Sequence, residues 1–76
     1  MKVVVAKRAY SMTPEKFKKL LQLASEQVLL GIYAVEKPAE NYAELKNIHC
    51  KSVTQLKREI RNWKQQGFKV YYNKGR

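Results

Sequence analysis

Two helix-start signals divide this chain into β-rich segments, and their positions constrain the fold more than any other feature of the sequence. Thr13-Pro14-Glu15 combines an N-cap residue, a proline suited to the first helical position and an acid in the first turn. Ser52 and Gln55 have the spacing of a capping box. Apolar residues follow each signal at spacings of three and four, which predicts two amphipathic helices.

The apolar positions define one buried face on each helix. On the first helix this face consists of Phe17, Leu20, Leu21, Ala24 and Val28. On the second helix it consists of Val53, Leu56, Ile60 and Trp63. Gly67 is expected to end the second helix, because glycine adopts the left-handed conformation that often follows a helix.

The remaining segments are rich in β-branched and aromatic residues and predict strands at 3–10, 32–37 and 68–72. Residues 42–50 fit either a strand or a short helical turn, and a strand is favoured because a hairpin would pair it with 32–37. The order β-α-β-β-α-β indicates an α+β fold of the ferredoxin-like arrangement, with both helices on one sheet face. Without a strand at 42–50, a three-stranded sheet with two helices remains.

The length of 76 residues predicts a single small domain over residues 1–76. A lone cysteine, Cys50, cannot form an intramolecular disulfide, which favours a reducing, cytoplasmic location. The longest apolar run has eight residues, Val28 to Val35, and is shorter than the roughly 20 residues of a membrane span. We therefore expect no membrane association.

The chain is strongly basic, with 16 Lys and Arg against six acids, all of them Glu, and a formal charge of +10. The charge is concentrated near the end, since residues 51–76 carry eight basic groups and one Glu. Such a distribution predicts an anionic partner, either a nucleic acid or an acidic protein surface.

Four cations follow one side of the second predicted helix, opposite its apolar face. They are Lys57, Arg58, Arg61 and Lys64. Like charges at these spacings repel one another, whereas contact with phosphates would convert the repulsion into affinity through counterion release. A solvated face that keeps a small protein soluble would show the same pattern.

The last strand offers a second candidate surface. If Phe68, Val70 and Tyr72 face the helices, Lys69 and Tyr71 face outward. Aromatic rings interleaved with cations suit single-stranded nucleic acid, because bases stack while phosphates pair with the cations. The same open face could instead contact a second copy of the chain. Its other expected members are Val4, Ala6, Arg8, Tyr10, Tyr33 and Asn73.

Catalytic chemistry has little support in the sequence. His49 and Cys50 are the only adjacent base and nucleophile, and neighbours in a strand point to opposite faces. No Asp is present, the three glycines form no phosphate-binding loop, and no Cys/His spacing matches a metal site. We expect a protein that is not an enzyme and uses no cofactor or metal.

Residues 52–70, SVTQLKREIRNWKQQGFKV, resemble the helix-glycine-strand ending of many small phage and mobile-element proteins. The resemblance implies a small cytoplasmic accessory protein that acts by binding DNA, RNA or a host nucleic-acid enzyme. It carries over no functional residues. With the charge pattern, it favours a nucleic-acid-binding protein that uses the second helix, with Lys69 and Tyr71 as secondary contacts. The alternative is an inhibitor or adaptor that docks on an acidic host protein, possibly as a homo-oligomer.

Overall fold

The computed structural model describes residues 2–5 and 8–75, with the side chains of residues 5 and 8–10 outside that description. It contains five strands and two α-helices, which matches the predicted α+β class. The elements are β1 (Lys2–Val5), β2 (Arg8–Ser11), α1 (Pro14–Gln27), β3 (Leu30–Lys37), a 3-10 turn (Pro38–Glu40), β4 (Tyr42–His49), α2 (Val53–Gln65) and β5 (Lys69–Lys74).

The strands form one mixed sheet in the order β2-β1-β4-β3-β5. β1 runs parallel to β4, and the other neighbouring strands are antiparallel. The predicted strand at 42–50 is confirmed, since β4 pairs with β3 as expected. β5 continues to Lys74, two residues beyond the predicted end.

The ferredoxin-like strand order is wrong. That order would place the last strand beside the first, whereas β5 pairs with β3 at the opposite edge. The predicted single strand at 3–10 is instead the hairpin of β1 and β2. Because β2 occupies the free side of β1, no edge of β1 is left for β5.

The helices lie on opposite faces of the sheet, and the expectation that they share one face is also wrong. Successive residues of β5 show this arrangement directly, because side chains alternate between faces along a strand. Val70 and Tyr72 pack with the apolar side of α2, whereas the Tyr71 ring lies 6.4 Å from the Phe17 ring of α1. β3 is accordingly buried from both sides.

Two apolar clusters hold these layers together. Beneath α2, the buried members are Ile32, Val35, Leu56 and Val70, with Ile60 and Trp63 packed against them. Beneath α1, the buried members are Val3, Phe17 and Ala43, with Met12, Leu21 and Leu45 packed against them. The apolar helix faces predicted from the spacing of three and four are thus confirmed, except that Val53 is 42% exposed.

The capping interactions predicted at the ends of the two helices are confirmed. The Thr13 side chain accepts a hydrogen bond from the Lys16 N–H, with Pro14 as the first helical residue. The Ser52 hydroxyl accepts from the Gln55 N–H at 3.2 Å, and the Gln55 side chain accepts from the Lys51 N–H. α2 ends one residue before the Gln66 C-cap, which is followed by Gly67.

Neither described helix has the length and apolar character that crossing a bilayer requires.

Candidate nucleic-acid interface

The predicted cations of α2 are exposed, but their predicted position opposite the apolar face is wrong for three of them, which border that face and line a groove with it. Leu56 is buried against the sheet, and Ile60 and Trp63 are half-buried beside it. The four predicted cations, Lys57, Arg58, Arg61 and Lys64, are all exposed to solvent. The apolar spacing of α2 therefore determines which side of the helix presents its positive charge.

These four cations have no carboxylate partner in the part of the chain that the structure describes. Two ion pairs occur there, Lys37 with Glu40 at 3.4 Å and Lys46 with Glu44 at 2.7 Å, and neither involves α2. Glu59, the one acid on α2, is half-buried on the side near Cys50. The positive charge of the helix is therefore available to an external anion.

A groove of about 490 Å³ runs between α2 and β5. Its apolar lining comes from Val53, Leu56, Ile60 and Tyr72. Its polar lining comes from Lys57, Arg61, Lys64 and Gln65 on the helix and Lys74 on the strand. Three of the four α2 cations thus line the groove, and Arg58 does not.

The turn at Gly67 creates this groove by sending β5 back along α2. Gly67 has a φ of 89°, and its N–H donates to the Lys64 carbonyl while the Phe68 N–H donates to the Trp63 carbonyl. This pair of bonds is the Schellman motif. A 13-residue helix and a 6-residue strand are both about 20 Å long, so Lys74 returns to the level of Val53.

Lys69 and Tyr71 are not brought together with the α2 cations. Tyr71 is half-buried on the α1 side of β5, where its hydroxyl donates to Glu36 at 2.9 Å. Burial, and then the Glu36 carboxylate, raises the pKa of Tyr71 to about 12. The Lys69 ammonium lies 5.3 Å from the Tyr71 ring, on that same side.

The open aromatic sheet face expected from the sequence is therefore wrong for β5 and β3. The Tyr33 and Tyr71 rings lie 6.2 Å apart beside Phe17, and the Asn73 amide donates to two carbonyls at the end of α1. α1 covers the surface that was expected to stack bases or to contact a second copy. Val4 is half-buried, and the predicted orientations of Ala6, Arg8 and Tyr10 fall outside the described residues.

Val53, Tyr72 and Lys74 are groove residues that the sequence reasoning missed as site residues. A signal for Val53 was present, because it precedes Lys57 by four residues and so lies on the same side of α2. Tyr72 and Lys74 depend on where β5 joins the sheet, and spacing along the chain does not reveal that.

A second polar cluster occupies β4 on the α2 side of the sheet. The Tyr42 hydroxyl donates to Glu44 at 2.7 Å, and the Lys46 ammonium contacts the same carboxylate and lies 4.7 Å from the Trp63 ring. Burial alone would raise the pKa of Glu44, but the bonds from Lys46 and Tyr42 outweigh it and lower that pKa. Lys46 is thus neutralised within the molecule.

His49 and Cys50, the adjacent base and nucleophile of the sequence, lie at the end of β4. His49 is exposed at the end of β4, and Cys50 follows the strand half-buried. Burial, and then the nearby Glu59, raises the pKa of the Cys50 thiol and disfavours the thiolate that a nucleophile needs. No three potential metal ligands cluster among residues 2–5 and 8–75.

Comparisons with protein-family models, with curated proteins and with solved structures give no match for this chain.

Proposed function

We propose that this chain is a non-enzymatic nucleic-acid-binding protein whose second helix contacts phosphates. The observation that supports this function best is the row of exposed cations on α2 that lack a carboxylate partner among the described residues. The contacts assigned to it are Lys57, Arg58, Arg61 and Lys64. Lys69 and Tyr71, predicted as secondary contacts, lie on the other side of β5 and do not share this surface.

The spacing of the cations fits the charge density of a nucleic-acid strand. Lys57 and Lys64 are seven residues apart, which is about 10 Å along the helix axis. Measured along the duplex axis, each strand of B-DNA carries one phosphate per roughly 3.4 Å, and neighbouring phosphates are farther apart than this because the strand winds around the axis. A row of cations of this length can therefore contact more than one phosphate of the same backbone.

A charge-reversal pair tests this assignment. Arg58→Glu with Arg61→Glu should abolish binding to random single-stranded and duplex oligonucleotides in a polarisation titration at low salt. Both side chains are exposed, so circular dichroism should show an unchanged fold. Lys16→Glu with Lys19→Glu on α1 is the matched control, because it has the same spacing and charge change at two exposed positions.

The Lys16→Glu, Lys19→Glu control protein should retain most of the wild-type affinity for oligonucleotides. An equal loss in both double variants would mean that net charge alone drives binding, and the α2 assignment would be wrong. In the wild-type protein, three or four phosphate contacts should give a log–log salt slope of about −2 to −4. An affinity that does not change between low and moderate salt would contradict the proposed function.

A second candidate function is a protein-interaction module that docks on an acidic protein, as an inhibitor or adaptor. The observation that favours it is the position of β5 at the sheet edge, where its outer backbone groups pair with no other described strand. A pull-down from a cell lysate with and without nuclease distinguishes the two functions. Partners that survive nuclease treatment, together with absent oligonucleotide binding, would favour the protein partner.

A further inference from the structure

The groove between α2 and β5 combines two surfaces that single-stranded nucleic acid requires. Its apolar lining includes the aromatic ring of Tyr72 and the side chain of Val53, which is 42% exposed. Cations lie on both of its sides, with Lys57, Arg61 and Lys64 on the helix and Lys74 on the strand. Base faces need an apolar or aromatic surface, and the phosphates on either side of a base need positive charge.

We propose that this groove binds single-stranded nucleic acid, with one base seated on its apolar lining and the flanking phosphates on Lys57, Arg61 and Lys64. This inference rests on the proposed nucleic-acid function and specifies its ligand. In a duplex the base faces are stacked on one another, so an apolar groove gains nothing from them. In a single strand the base faces are free to enter the groove.

The mixed apolar and cationic lining of the groove favours a nucleic acid over an acidic peptide. An extended peptide presents side chains to one face every two residues, or about every 7 Å. A peptide would therefore combine negative charge with an apolar surface only where its sequence places acidic and apolar side chains at matching positions. Every nucleotide joins a base face to a phosphate, so any stretch of single strand presents both of the surfaces that this groove offers to a ligand.

The test compares three ligands on the unmodified protein by fluorescence polarisation at low salt. The ligands are a short oligothymidylate, an abasic phosphodiester of the same length and charge, and an acidic peptide of equal charge. The oligothymidylate should bind at least about five-fold more tightly than the abasic strand, which is the lower end of what stacking one base contributes. The acidic peptide should bind more weakly than the oligothymidylate.

Two variants locate the base within the groove. Val53→Glu places a carboxylate in the groove lining, and Thr54→Glu places the same charge on the neighbouring exposed residue outside it. Both substitutions lie in the first turn of α2, where an acid is favourable for the helix. Val53→Glu should weaken oligothymidylate binding about ten-fold more than Thr54→Glu, and it should reduce the preference over the abasic strand.

The outcomes separate this inference from the function on which it rests. Equal affinity for the thymidylate and abasic strands would contradict the proposal that a base binds in the groove, while phosphate binding by α2 would remain. Failure to bind any oligonucleotide would overturn both. An acidic peptide that binds as tightly as the oligothymidylate would assign the groove to a peptide instead.

Discussion

Gly31 lies on β3 against the backbone of β4, and both its conformation and its surroundings exclude a side chain. Its φ is 151°, a value that residues with a Cβ rarely adopt. A Cβ placed there would overlap the carbonyl oxygen of Ile48 and would lie 3.1 Å from the Val28 side chain. Register shifts in both ladders of β3 follow between Ile32 and Ala34, so this glycine begins an irregular stretch in the middle of the sheet.

Gly31→Ala should therefore destabilise the protein severely, by about 3 kcal/mol or more, because the backbone of β4 must move to admit the methyl group. The midpoint of urea unfolding measures this loss. Gly75→Ala is the matched control, because Gly75 also has a positive φ but no atom lies within 4 Å of its Cβ position. A similar loss in both variants would mean that backbone strain alone, and not the contact with Ile48, governs Gly31.

At the scale of the element, β4 shows how alternation along a strand separates two kinds of chemistry. Ala43 and Leu45 face the apolar cluster under α1. Tyr42, Glu44 and Lys46 share the other face, where their hydrogen bonds and ion pair satisfy one another beside Trp63. The same strand thus contributes to a core on one side and presents a partly exposed polar row on the other.

This polar row predicts a pH dependence of stability. The pKa of Glu44 in the folded state lies below its ordinary value of 4.5. The carboxylate therefore contributes stability that is fully present above about pH 4.5 and is lost as the pH falls through the lower, folded-state value. Glu44→Gln should destabilise the protein most at neutral pH, and its difference from the wild type should shrink below pH 4.5 in urea unfolding.

Glu40→Gln provides the comparison for that measurement. Glu40 is 62% exposed and contacts Lys37 at 3.4 Å, so its ion pair is expected to contribute little. The unfolding free energy of the Glu40→Gln variant should therefore follow that of the wild-type protein across the acid pH range. A Glu44→Gln variant whose deficit stays constant with pH would show that the lost stability comes from packing and not from charge.

At the scale of the whole molecule, the charge of +10 acts over distances comparable to the protein itself. The molecule measures 33 × 26 × 20 Å and has a Cα radius of gyration of 12.0 Å. The Debye length is about 30 Å at 0.01 M salt and about 10 Å at 0.1 M. At low salt each cation therefore interacts with most of the others, and at moderate salt mainly with its neighbours.

Salt should thus affect stability and binding in opposite directions. The melting temperature should rise by a few degrees between 0.01 and 0.1 M sodium chloride, because screening weakens the repulsion among cations. Affinity for nucleic acid should fall over the same range. The Lys16→Glu, Lys19→Glu protein, which loses two positive charges and gains two negative ones, should show a smaller rise. A melting temperature that falls with salt would contradict this account.

The parts of the fold that the sequence predicts are those that depend on neighbouring residues. Thr13, Ser52 and Gly67 act within their own helices, so their patterns are sufficient to place the helix ends. Strand order depends on packing between distant segments, which no local pattern contains. One clue to helices on both faces was present, since Ile32 to Val35 is continuously apolar, as expected for a strand covered on both sides.

The candidate site likewise has a part that the sequence predicts and a part that it does not. The spacing of Lys57, Arg61 and Lys64 predicts their common exposed side, because helical periodicity alone sets it. The groove also requires Tyr72 and Lys74, whose place beside α2 follows from β5 pairing with β3. Alternation along β5 shows that Tyr71 and Tyr72 point to opposite faces of the sheet. It does not show that α1 covers the face that carries Tyr71.

The Asn73 side chain connects the last strand to the end of the first helix. Its amide donates at 2.9 Å to the carbonyls of Ser25 and Val28, at the end of a helix with no basic residue in its last turn and Val28 as its C-cap. The first helix thus obtains hydrogen-bond partners for its last turn from a residue more than forty positions later. Contacts of such long range should slow folding, because the intervening chain must be ordered before they can form.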